Sequence, residues 1–97
     1  RDERLGQFFG GYFHQDWDIE GATSWEDVIQ QYAAQVPRPQ VISIRDDLRD
    51  WLEEAAQQEI HNLPPSFGCD YDSSSEGLTG RQWVEHIVAA FDRLLCN

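Results

Sequence analysis

Between Gln40 and Ala56 the apolar residues Val41, Ile44, Leu48, Trp51, Leu52 and Ala55 fall within an arc of about 100° when successive residues are turned by 100°. Asp46, Asp50 and Glu53 lie on the opposite side, with Asp47 and Glu54 flanking them. A strand would throw alternate members of this set onto opposite faces, whereas a helix gathers them. The segment therefore predicts an amphipathic helix, extending to Ile60 at most, with an acidic outer stripe and an apolar side that other elements must cover. Val41-Ile42-Ser43-Ile44 is β-branched, but it runs into the helical period without turn residues.

The remaining chain supplies such elements. Leu5, Phe8, Phe9, Tyr12 and Phe13 form a helical stripe that contains Gly10 and Gly11. Each glycine costs about 1 kcal/mol against alanine, so a neighbouring helix or ring is expected close to that backbone. Ser24 caps a second helix, with Asp27 at a capping-box-like position. Trp25, Val28, Ile29, Tyr32 and Val36 line its buried side, and Pro37 and Pro39 end it and make the next turn. Pro64-Pro65 stops whatever continues past the third helix, and residues 66–77 read as a polar loop. Thr79 and Gln82 form a capping box for a last helix with Val84, Ile87, Val88, Phe91, Leu94 and Leu95 on its apolar face. Periodicity places Trp25, Trp51 and Trp83 in the core, although an interface anchor could also be drawn from this set. The expected architecture is all-α: residues 1–97 as one compact, single-domain bundle of four to five helices.

Composition agrees with a folded chain and restricts its partners. The 97 residues include four tryptophans, with 40% hydrophobic residues. That length buries roughly 60–70% of the unfolded surface, enough for one core. Net charge is −11, from 18 acidic residues against seven arginines and no lysine. Nucleic acid and anionic membrane would repel this chain, so neither is an expected partner, and a basic protein is favoured. No apolar run approaches the ~20 residues of a membrane span, and no signal-peptide core follows the charged start. With no methionine present, the chain is expected to begin slightly inside the full gene product. Cys69 and Cys96 read as reduced, partly buried thiols, and the cytoplasm is the default location.

Catalytic and metal-binding patterns are weak. His14, Asp16 and Asp18 are metal ligands by type, but their alternate spacing suits a strand and no second cluster completes a set. The better reading has His14 and Asp16 capping the first helix and Trp17 packing in the core. The run beginning at Asp70 resembles a calcium loop only superficially. An EF-hand needs Gly at the sixth position and Glu at the twelfth, where this chain has Ser75 and Arg81. Ser73–Ser75 lack a nucleophile elbow, and the acidic surroundings of Cys69 disfavour its thiolate. His61 suits a helix C-terminal end and His86 a mixed helix face. No enzymatic activity and no cofactor are expected.

The run Phe9-Gly10-Gly11-Tyr12-Phe13-His14-Gln15-Asp16-Trp17-Asp18, followed by Gly21 and a capped helix, resembles the immunity proteins of contact-dependent growth inhibition. Gly68-Cys69-Asp70-Tyr71, then Gly77-Leu78-Thr79 and Trp83, extend the resemblance along nearly the whole chain. The resemblance implies a protein that binds and neutralises the C-terminal toxin domain of a delivered surface protein. The expected partner is a basic nuclease, an RNase in preference, held in a one-to-one complex that occludes its cleft. Within the motif, Phe9, Gly10, Tyr12, Phe13, His14, Asp16, Trp17 and Asp18 are expected to be structural. Toxin contact is expected first at Asp46, Asp47, Asp50, Glu53 and Glu54, and second at the loop residues Asp70, Asp72 and Glu76. Two rival readings are an acidic helical adaptor for an unrelated basic protein and a metal-assisted hydrolase around His14, Asp16 and Asp18.

Overall fold

The computed structural model describes residues 2–13, 24–63, 67 and 77–96. Among them the chain forms four α-helices and no strand: α1 Asp2–Tyr12, α2 Trp25–Gln35, α3 Arg38–Gln57 and α4 Gly80–Leu95. The all-α bundle is 33 × 27 × 24 Å in extent. Its most extensive packing is α3 on α4, with α2 lying against α4 and α1 against α3.

Aromatic residues join all four helices. Phe8 on α1 meets Tyr32 of α2 edge to face at 5.0 Å between ring centroids, and also reaches Phe91 of α4. Trp83 of α4 takes Phe13 edge to face at 5.0 Å and touches Phe9 and Trp25. Phe67, expected within a polar loop, is instead buried: it stacks on Phe9 at 5.9 Å and meets Trp51 of α3. Each such pair contributes about 0.5–1.5 kcal/mol beyond the area it buries, and the rings tie together segments distant in sequence. The FFGGYF segment therefore forms part of the core, with Phe8, Phe9 and Phe13 all buried and Tyr12 packed beside them.

Local chemistry sets the helix ends. Ser24 Oγ accepts from the Asp27 N–H at 3.3 Å. Thr79 and Gln82 form the reciprocal capping box: the Gln82 N–H donates to Thr79 Oγ1 and the Thr79 N–H to Gln82 Oε1. The α2–α3 turn differs from expectation. Val36 is the extended, half-buried C-cap of α2, and α3 begins at Arg38, so Pro39 lies inside the first turn of α3. The first-turn amides of a helix have no intrahelical acceptor, so proline loses nothing there and its fixed φ suits the helix. Leu52, Leu94 and Leu95 are partly buried at the edge of the core.

The end of α3 is a Schellman motif. The Ile60 N–H donates to Ala55 O at 2.8 Å and the Glu59 N–H to Ala56 O, with Glu59 at φ 57° where glycine is usual. The chain beyond it grips α4. The Arg81 N–H donates to His61 O at 2.8 Å, and the Gly80 N–H to Asn62 Oδ1 at 3.1 Å. A Cβ on Gly80 would stand 2.8 Å from Leu63 N and 2.9 Å from Asn62 Cα, so only glycine permits this approach. The Gly10-Gly11 expectation is met only in part. A Cβ on Gly10 would lie in ordinary contact with Phe67 O at 3.7 Å, and Gly11 has nothing within 4 Å.

Urea melts should show Gly80→Ala destabilised by about 1–3 kcal/mol, because backbone cannot move aside cheaply. Glu59→Gly should be stabilised by about 1 kcal/mol through relief of the left-handed conformation. Burial raises the Tyr32 phenol above its ordinary 10.0, against the opposing hydrogen bond from Gln40. The resulting stability is complete below pH 10 and is lost as pH climbs through the higher folded-state value. Ultraviolet titration should reveal a late-ionising tyrosine that disappears in Tyr32→Phe; its persistence there would refute the assignment.

Candidate functional site

The acidic stripe and the neighbouring helix together make a groove. Asp46, Arg49, Asp50, Leu52 and Glu53 of α3, with Glu85 and Val88 of α4, line an open cavity of about 570 Å³. Leu52 and Val88 form its apolar floor, because they occupy the seam where α3 packs on α4. Asp46, Asp50, Glu53 and Glu85 are exposed around it. Four carboxylates thus surround one guanidinium, which leaves the lining strongly negative.

The other stripe residues are held differently. Asp47 turns toward α1, where Arg4 Nη1 lies 3.2 Å from its Oδ2, and its side chain is only 19% exposed. Glu54 is half-buried and accepts from Gln58 Nε2 at 3.4 Å. The physical reason is angular: both residues sit beside the core-facing arc, so neighbouring side chains cover them. Asp46, although exposed, pairs with Arg45 at 3.1 Å, and Arg45 also reaches Asp92 of α4 at 3.1 Å. The Asp46 hydrogen bond is the main influence raising the Arg45 pKa, so the guanidinium stays charged and bridges α3 to α4.

Asp70, Asp72 and Glu76 lie outside the described residues, as do His14, Asp16, Trp17, Asp18 and Cys69. Cys96 is a free thiol and exposed, contrary to the expected partial burial, because α4 ends there beyond its apolar stripe. His61 and His86 are exposed and apart from the groove. Among the described residues no cluster of three or more His, Cys, Asp or Glu could hold a metal ion. No described helix is long and apolar enough to cross a membrane.

Glu85, Val88 and Arg49 were absent from the contact set expected from sequence. Glu85 lies between the core pairs Trp83-Val84 and Ile87-Val88, so its exposure was legible in the helical period. Its apposition to Asp50 and Glu53 was not, since that requires the packing of α4 on α3.

These features describe a small, acidic, all-helical protein whose prominent surface feature is a charged groove. The family model described as CdiI immunity protein matches residues 1–91, and the chain belongs to that family. Neither a curated protein nor a solved structure matches the chain. Membership implies that the protein binds a cognate toxin of a contact-dependent growth inhibition system and neutralises it.

Within the stripe, Asp47→Asn should lower stability by about 1 kcal/mol through loss of the pair with Arg4, in chemical denaturation. Glu53→Gln, at an exposed position, should stay within about 0.5 kcal/mol of the parent.

Proposed function

We propose that this chain neutralises its toxin by seating the acidic α3–α4 face in the basic cleft of a nuclease, an RNase in preference to a DNase. The carrying observation is the groove itself, in which Asp46, Asp50 and Glu53 of one helix and Glu85 of another converge over an apolar floor. A nuclease cleft binds polyphosphate through cationic groups, so a surface that repels nucleic acid is complementary to it. Complementary fields also speed encounter, by 10–10³-fold at low salt in systems of this type. The inhibitor acts by binding, without catalysis, as one copy per toxin domain in the cytoplasm. The acidic residues Asp70, Asp72 and Glu76 supply the second contact in this reading.

Co-expression with the toxin domain encoded immediately upstream should yield a stable complex whose nuclease activity returns when this chain is removed. Charge reversal at Asp50 and Glu53 together should weaken binding at least tenfold, with circular dichroism used to confirm that the double variant is folded. Association should slow markedly between low and physiological salt, where the screening length falls to about 8 Å. Full affinity in the double variant would move the contact surface elsewhere.

A further inference from the structure

Arg49 stands out in the groove. A surface shaped only to attract a polycation would carry no positive charge among its carboxylates, yet this guanidinium lines the cavity beside Asp46, Asp50, Glu53 and Glu85. The residue is exposed, and the structure records no ion pair for it among the described residues, whereas Arg4 and Arg45 are both paired. Arg45 already serves as the tie between α3 and α4, so the fold does not need a second guanidinium for that purpose. Arg49 also packs no core, since it is exposed and is not among the buried residues of α3.

We propose that Arg49 is the specificity-determining residue of the groove, selecting a toxin segment that carries both a basic and an acidic side chain. This inference rests on the toxin-binding reading given above. The basic side chain of the toxin lays its aliphatic stem over Leu52 and Val88 and brings its head among Asp50, Glu53 and Glu85. The acidic one meets Arg49, whose planar fork of donors matches a carboxylate in a bidentate pair. A surface with basic groups alone is repelled by Arg49, and that repulsion is the discriminating element. The cavity, at about 570 Å³, lies within the ~300–1,000 Å³ typical of sites that enclose a small ligand, so side chains can enter rather than merely touch. An inhibitor of charge −11 needs such a device, because attraction alone would bind every basic protein it meets.

The test compares two ligands: the toxin domain encoded immediately upstream, and poly-L-lysine as an arbitrary polycation. Calorimetric titration of the wild type, Arg49→Gln and Arg49→Lys follows a circular-dichroism check that all three melt alike. Arg49→Gln should bind the toxin domain at least tenfold more weakly and poly-L-lysine several-fold more tightly. Arg49→Lys should fall between on the toxin domain, since a point charge cannot reproduce the fork. Toxin affinity within twofold of the wild type in Arg49→Gln overturns the assignment and leaves the toxin reading intact. Poly-L-lysine binding that does not strengthen overturns it as well. A wild-type chain that fails to bind the toxin domain refutes the toxin reading, and the role of Arg49 falls with it.

Discussion

Edge-to-face packing of aromatic rings around Trp83 and Phe8 is the interaction on which the bundle depends. α1 and α2 have only 11 residues each, too short to persist alone in water. Their helicity comes from burying one face, and that face is aromatic: Phe8, Phe9 and Phe13 from the first segment, Trp25 and Tyr32 from the second. Trp83 contacts rings of both segments, and Phe91, about two turns further along α4, meets Phe8 and Tyr32. Loss of Trp83 would open a cavity costing about 3–5 kcal/mol, comparable with much of the stability of a small domain. Bulky rings let a short chain fill its interior with few residues, and most remaining positions are then available to solvent and charge.

That division explains how a chain of net charge −11 can remain compact. Self-repulsion is reduced where arginines stand between helices. Arg4 pairs with Asp47 across α1 and α3, Arg45 with Asp92 across α3 and α4, and Arg38 Nη2 donates to Leu95 O at the end of α4, where helix carbonyls attract a cation. These contacts are partly exposed, and each contributes no more than about 1 kcal/mol. Their larger effect is to fix which helices adjoin. The acidic groove lies beside the Arg45–Asp92 tie, on the α3–α4 seam where the packing is most extensive, so its carboxylates are presented on a firm support.

Much of this was readable from residue order. The periods of Val41 to Ala55 and of Val84 to Phe91 identified two helices and their buried faces, and Ser24, Thr79 and Gln82 marked where helices begin. Pro39 misled because a proline near a boundary fits both the end of one helix and the first turn of the next. Phe67 escaped because a single apolar residue between a diproline and a polar run carries no period. Gly80 escaped because the need for glycine there comes from Asn62 and Leu63, which approach from another segment.

The sequence by itself determined the helices, the aromatic core and the acidic outer stripe, because each is a property of one segment and repeats with the helical period. Tertiary structure decided which acidic residues form a surface together. Packing of α4 on α3 brought Glu85 and Val88 to Asp50 and Glu53, and packing of α1 on α3 drew Asp47 toward Arg4. The groove belongs to two helices at once, and the angle at which one helix meets another is set by side-chain interlocking across the seam, which no single segment encodes.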